Sequence, residues 1–391
     1  MGVEKIKTVL LLASCLVILL GCGSSTSKQK AEDIRIGLLI DGGTPGGEPS
    51  LRAAKLIIQQ VNAAGGLLIG AQRHQVVLEI RDTGNNPTTA MEVARDLVHR
   101  AGVVAIVGPN VSRNAIPAAN VAQHAGIPMI SPGSTNPETT RNKDHVFRAA
   151  FVDTYQGCIM ARFAIEDLGA RRAAVLFDIA NSSNRDVARV FQAVFTADGG
   201  QMTDVLNYTT GETDFSEAMA QIKEHKPDVL LLPNYSKDVL LQARQAQEAG
   251  IQAVLLGCDG WSPTKVSGEP ALVGAYFNQH WHPDAAKTNP KSAAFLEAFR
   301  QSFNTDPVNM AALTADSLGM LFQVMTRKSS LDAGDIRQGL SSLQDYEGIT
   351  GPISYDDHGD PQKGTVILSI HEDGVSVFKQ QKSDCPVDLN L

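Results

Sequence analysis

The chain's strongest chemical signals are two loops rich in hydroxyl groups and glycine, each following an apolar run. Val103–Val107 leads into VGPNVSRNAIP, where Ser112 stands just ahead of a helix expected over about Asn114–His124. Pro128–Ser131 leads into PGSTNPETT, which holds Gly133 and Thr135 in a tight loop. Hydroxyls and free N–H groups at the start of a helix suit an anion such as a carboxylate, and in open α/β sheets ligands sit at the carboxyl ends of strands. The same residues would also serve as a helix cap (Ser112) and a turn former (Thr135). Other chemistry is poorly represented. The Gly-rich DGGTPGG lacks GxGxxG spacing, and GxSxG, HExxH and Walker sequences do not occur. His280 and His282 flank Trp281 without a third convincing metal ligand. Asp356, Asp357 and Asp360 lack calcium-loop spacing and read as a hairpin turn. Neither an enzyme nor a cofactor is indicated.

The elements that must position these loops alternate regularly. Ile34–Ile40 and Val76–Ile80 read as buried strands, Leu51–Val61 as a helix stopped by Gly65-Gly66, and another helix starts behind Pro87. A second series begins near Val152. Helices are expected at Thr154–Leu168, Asp186–Thr196, Phe215–His225 and Val239–Ala249, with strands at Ala173–Phe177, Val205–Tyr208, Val229–Leu232 and Ala253–Leu256. Helices at Ser292–Phe303, Ala311–Thr326 and Asp335–Leu343 follow, then short strands at Ile353–Tyr355, Val366–Ile370 and Val375–Phe378. Repeated βα units imply doubly wound parallel sheets in two lobes.

Composition narrows the setting. A formal charge of −8 and the absence of a Lys/Arg block exclude a nucleic-acid partner, and 5% aromatic residues advertise no stacking surface. At the N-terminus, Lys5 and Lys7 precede the apolar run Val9–Leu20. That run is shorter than the roughly 20 residues of a membrane span and fits a signal peptide. Its end, Leu19-Leu20-Gly21-Cys22, resembles a bacterial lipobox, which implies removal of residues 1–21 and acylation of Cys22. Residues 22–32 then form a tether, and the protein is exported and lipid-anchored to a bacterial membrane on its periplasmic or extracellular face. Of the five cysteines, Cys158, Cys258 and Cys385 would remain; one bridge is open to them, but buried thiols are the expectation.

Taken together, VNAAGG (Val61–Gly66), the VGP stretch ending at Ser112, ISPGSTNPETT (Ile130–Thr140) and ITGPISYDDHGD (Ile349–Asp360) resemble the leucine/isoleucine/valine-binding protein family, the type I periplasmic binding proteins of ABC transporters. The resemblance runs from Ile34 to Phe378. It implies two doubly wound lobes joined by a three-crossover hinge. Lobe 1 would comprise 33–152 plus 283–353, lobe 2 would comprise 153–282 plus 354–380, and 381–391 would form a tail. It implies a monomer that binds an amino-acid-like ligand by lobe closure and delivers it to the permease subunits. Ser112 matches the serine that binds the ligand carboxylate, Gly133 a carbonyl facing the ammonium, and Thr135 a contact to both. In PDVLLLPNYSKD, Tyr235 matches a pocket tyrosine. In LLGCDGW, Asp259 matches the acidic residue that neutralises the ammonium, although a turn role before Gly260 would also account for it. Two departures touch the side-chain preference. DIANSSNRD replaces a DNxxYG pattern, bringing Ser182 or Ser183 nearest the missing aromatic, and Glu48 stands where relatives often place an aromatic or apolar contact. Met310 reads as pocket wall or core packing. A sensor of the same fold, or a binder of an amide or small organic acid, would share most of this pattern.

Overall fold

The computed structural model of the protein describes residues 32–381 and Cys385; the expected signal peptide, Cys22 and most of the tether and tail lie outside the described residues. The first sheet is built from β1 (Ile34–Ile40), β4 (Val76–Asp82), β5 (Ala105–Val107), β6 (Met129–Ser131) and β7 (Val146–Arg148). A small hairpin, β2 (Leu67–Ile69) and β3 (Gln72–His74), interrupts the series. The order is β4-β1-β5-β6-β7, parallel throughout. Between the strands run α1 (Gly47–Ala63), α2 (Pro87–His99) and α3 (Ser112–Ala125). A parallel sheet must be covered on both faces. One face packs Ile34, Ile36 and Leu38 against Ala54, Leu318 and Leu321; the other packs Leu39 and Ile106 against Leu97, Ala118 and Ala122.

After β7 the chain enters α4 (Asp153–Glu166), a helix buried on nearly every side. There follow β8 (Arg172–Asp178), α5 (Ser182–Ala197), β9 (Gln201–Tyr208), α6 (Ser216–His225), β10 (Val229–Leu231), α7 (Ser236–Ala249), β11 (Val254–Gly257), α8 (Pro263–Val266) and β12 (Tyr276–Gln279). The chain then returns to the first sheet with α9 (Pro290–Phe303), α10 (Asn309–Lys328) and α11 (Ala333–Ser341). A three-stranded patch comes next: β13 (Tyr346–Gly348), β14 (Gly351–Tyr355) and β15 (Pro361–Gln362). It closes on the second sheet with β16 (Thr365–His371) and β17 (Gly374–Gln381), giving the order β17-β16-β12-β11-β10-β8-β9. This second sheet is mixed rather than wholly parallel, because β16 and β17 pair antiparallel at its edge. The short Glu372-Asp373 turn joins them as a hairpin, which has no room for a crossover helix.

The three passages between the sheets touch one another. His280, just after β12, lies against Phe151, just before α4, with ring centroids 3.7 Å apart and the rings tilted by 34°. Lys363, ahead of β16, donates to Thr350 Oγ1 at 2.6 Å and lies 3.3 Å from the Ala149 carbonyl. Burial lowers its pKa to about 8, with the Asp316 carboxylate opposing the shift.

Three side chains expected in other roles act as braces. Asp360 does lie at a turn, but it also forms a buried ion pair with Arg148 Nε at 2.6 Å. The same guanidinium, wholly inaccessible to solvent, donates to the Ser134 carbonyl (3.0 Å) and to Thr140 Oγ1 (2.6 Å), fixing the 131–140 loop. Cys158 and Cys385 form a disulfide, so the expectation of buried thiols holds only for Cys258. The pairing escapes spacing rules because the end of the chain returns to α4 across 227 residues of sequence.

Arg148→Met should leave Asp360 buried without its cation and lower the unfolding free energy in urea by about 3–5 kcal/mol. Replacing Cys158 and Cys385 together by serine should cost about 2–5 kcal/mol, measured under non-reducing conditions.

Candidate functional site

At the end of β1 the chain buries a carboxylate, Asp41, which is 0% exposed. Its Oδ2 accepts the backbone N–H groups of Asn110 (2.8 Å) and Val111 (2.9 Å); its Oδ1 accepts from Thr83 Oγ1 and Asn114 Nδ2, each at 2.7 Å. The loop after β5 is thereby held against the end of β1, which sets where α3 begins. Ser112 is the first residue of that helix rather than one ahead of it, and it does not cap the helix. The capping position is Val111, which has no side-chain acceptor. The Ser112 hydroxyl instead accepts from Ser134 Oγ at 3.0 Å, joining the two hydroxyl-rich loops. The α3 N-terminus is left without a side-chain cap, an arrangement suited to an external anion.

Gly133 lies between Asn110 and Met310. A Cβ there would meet Met310 Sδ at 2.5 Å, so the thioether packs directly on the glycine. Met310 also covers Gly46 and stands at the edge of the first core, so it is both packing and wall. Thr135 is nearly buried, and its carbonyl accepts the Asp153 N–H at 3.0 Å.

The second sheet mirrors this construction with an amide. Asn234 is buried at the end of β10. Its Oδ1 accepts from the Asp178 N–H (3.1 Å) and Asn184 Nδ2 (3.2 Å), while its Nδ2 donates to the Leu176 carbonyl and Gln242 Oε1, both at 2.9 Å. The next residue, Tyr235, precedes α7. It is 55% exposed, and Asn181, Asp259, Asp153 and Arg113 stand near its phenol. Desolvation raises its pKa, the Asn181 hydrogen bond opposes, and the charges of Asp259 and Asp153 add to the rise. Gly260 lets Tyr235 approach Asp259, since a Cβ would sit 3.3 Å from the tyrosine ring and 3.0 Å from the Asn234 carbonyl. Below, Trp261 fills the space over Gly257 and donates Nε1–H to the Leu232 carbonyl at 3.0 Å.

Asp259 is held from three directions. Its N–H donates to Gln156 Oε1 (3.0 Å), its carbonyl accepts from Gln279 Nε2 (3.0 Å), and its Oδ2 lies 3.1 Å from His280 Nε2. His280 therefore serves a carboxylate from a fully buried position; burial lowers its pKa, against the pull of Asp259. His282 points elsewhere and caps the turn at Asp284. Across the cleft, Asn136 Nδ2 donates to Ser182 Oγ at 3.1 Å, and Asn309 Nδ2 donates to Gln279 Oε1. The helix α5 starts at Ser182, four residues before the position expected from its apolar face, because Asn181 caps Ser183 and Asn184. Ser182 and Ser183 consequently sit in its first turn.

Of the five residues singled out from the sequence, Ser112 is joined through Ser134 to the loop that holds Gly133 and Thr135, Thr135 meets Asp153, and Tyr235 and Asp259 stand near the same Asp153. The sequence reading missed Asp153, the first residue of α4, which is 1% exposed and stands between the two sets. Its pKa is raised to about 7, by burial first and by the Asp259 charge second; the hydroxyls of Thr135 and Ser183 and the Arg148 charge oppose this. No hydrogen bond reaches its Oδ2. The signal was the spacing Asp153–Gln156, two polar residues one turn apart on a helix that is otherwise core. Chemically, the cleft pairs an uncapped helix start and hydroxyls with opposing carboxylates. It offers binding to a small zwitterion rather than a nucleophile with its base.

Comparison with known proteins agrees with this architecture. A profile described as "Periplasmic binding protein" matches residues 33–374. The Leu/Ile/Val-binding protein BraC3 of Rhizobium johnstonii is 28% identical over 84% of this chain and 89% of its own length. The crystal structure of a leucine-binding protein, LivK, from Thermotoga maritima superposes with a TM-score of 0.79 at 28% identity, covering 90% of this chain and 99% of that one. LivJ of Streptococcus pneumoniae, a branched-chain amino acid transporter substrate-binding protein solved in complex with isoleucine, gives 0.77 at 26% identity, covering 89% and 99%. These relatives are binding proteins, not enzymes, and by its fold and its match over residues 33–374 the chain belongs to the periplasmic binding protein family.

Proposed function

We propose that this protein is the extracytoplasmic substrate-binding component of an ABC transporter and that it captures a small α-amino acid, branched-chain or related, for delivery to the permease. The observation that carries the reading is the position of Asp259. It is braced by Gln156, Gln279 and His280 and stands near Asp153 and Tyr235, while the start of α3 carries no side-chain cap. In this reading Ser112 and the α3 N–H groups take the ligand carboxylate, the Gly133 carbonyl and Thr135 take part of the ammonium, and Tyr235 closes over it. Asp259 supplies the neutralising charge, because an unpaired ammonium in a closed cleft would cost several kcal/mol. Hinge closure about the three passages brings the two sets together and excludes water. Acylated Cys22 would keep the protein at the membrane where the permease lies.

A second reading, a ligand lacking the ammonium such as an amide or small organic acid, draws support from the side-chain end of the cleft. Ser182 and Ser183 stand there in place of an aromatic wall, and Asn110 Oδ1 is buried without a partner.

Thermal-shift screening of the protein against α-amino acids, amides and small organic acids separates the two. The first reading expects a rise in melting temperature with one or a few α-amino acids, since a ligand that binds only the folded state stabilises it. Asp259→Ala should abolish that rise. A shift produced only by compounds without an ammonium group would overturn the first reading and support the second.

A further inference from the structure

Away from the three passages, a side-chain hydrogen bond ties the two halves of the chain together. Asn136 directly follows Thr135, is buried, and uses both ends of its amide. Its Oδ1 accepts the Glu138 N–H at 2.9 Å and caps the single turn Pro137–Thr139, while its Nδ2 donates to Ser182 Oγ at 3.1 Å. Asn136 belongs to the first-sheet half, and Ser182 opens α5 in the second. Ser182 is exposed, so the bond lies at a rim, where water reaches both groups once they part.

Both partners are firmly mounted. The 131–140 loop is held by the Arg148 guanidinium, which reaches the Ser134 carbonyl, Thr140 Oγ1 and Asp360. On the other side Asn181 caps Ser183 and Asn184, and Asn184 donates to the same Asn234 Oδ1 that receives the Asp178 N–H. Asn181 also hydrogen-bonds the Tyr235 phenol. The Asn136–Ser182 bond therefore joins the loop that carries Gly133 and Thr135 to the network that sets Tyr235. Charges repeat the pairing one turn further along α5. Partial burial raises the pKa of Asp186; Arg189 and Arg185 from its own helix and Arg141 from the opposite half oppose the rise, and Glu138, also opposite, adds to it. The segment 136–141 thus meets the first two turns of α5 through a hydrogen bond and through charge.

We propose that Asn136 and Ser182 are positioning residues that form a latch between the two halves, and that they set how long a ligand stays without touching it. The proposal rests on the reading that a small ligand is held by closure of the halves about the passages. When the halves part, the Asn136 amide and the Ser182 hydroxyl separate and each turns to water. The bond therefore counts in the closed arrangement alone, and a contact made in one of two states shifts their populations by its whole net strength. For a neutral hydrogen bond that strength is about two- to tenfold in an equilibrium constant. Because the latch forms after the ligand has entered, its loss acts on escape rather than on entry.

The test is stopped-flow binding to the full chain of each standard L-α-amino acid that raises its melting temperature, repeated with Asn136→Ala, Ser182→Ala and the double variant. Each single variant should speed dissociation about two- to tenfold and leave the association rate within about twofold. The double variant should lose no more than either single one, because the two groups act as one pair. Ser182→Ala leaves the Asn136 cap on Pro137–Thr139 in place, and Ser182→Thr, which keeps the hydroxyl, should keep the slow dissociation. Losses that add in the double variant would put both side chains on the ligand itself and overturn the latch. So would single variants that unfold more readily without ligand but release it at the unmodified rate, the mark of a merely structural contact. Either result leaves the proposed function intact, whereas failure of every α-amino acid to bind the unmodified protein overturns both.

Discussion

The bonding of the Asp41 carboxylate is the constraint on which the first half of the site depends. Four donors from three segments converge on two oxygens with no exposure to solvent, and hydrogen bonds to a charged acceptor are roughly twice as strong as neutral ones. Moving any one segment would strand a buried charge. The loop after β5 therefore has one position available, and with it the start of α3 and the Ser112 hydroxyl. Asn234 does the same for the second sheet with an uncharged amide whose oxygen and nitrogen each find two partners. Both residues sit at carboxyl ends of strands, where neighbouring strands stop in register and the loops begin to diverge.

The two braces leave the cleft between them free to be electrically unbalanced. Structural charges away from the cleft are matched: Arg148 with Asp360, and Lys363 with Asp316. Inside the cleft Asp153 and Asp259 face each other, with a neutral imidazole and a phenol nearby.

Much of the scaffold was legible because apolar periodicity is strong where elements are buried on a predictable face. β1 ends where its run of apolar residues ends, and α2 starts at Pro87 as expected from the fixed backbone angle of proline. The elements that escaped were short or polar. The β2–β3 hairpin, β7 and β12 are too brief for periodicity to register, and β12 carries Asn278 and Gln279 because its end takes part in the passage between the sheets. Helix starts moved earlier at α1 and α5 because their first turns lack apolar side chains of the kind that mark a buried face. Of the site residues read from motifs, Thr135, Tyr235 and Asp259 stand near Asp153. Asp41, Arg148, Asp153 and Asn234 were not seen as a set, since each is an ordinary polar residue with at least one partner on a different element of the fold. Burial made them important, and burial is a property of the fold, not of spacing.

The disulfide has a mechanical consequence. The bridge from Cys158 to Cys385 encloses every strand of the second sheet, from Arg172 to Gln381, while every strand of the first sheet lies before Cys158. If the molecule were pulled by its two ends, tension would run along the backbone to Cys158, cross the sulfur–sulfur bond and leave through Cys385. The enclosed loop would carry no load. Stretching would unravel β1 and β4–β7 while the second sheet stayed folded, so Ser112, Gly133 and Thr135 would be torn from their places with Tyr235 and Asp259 still in theirs.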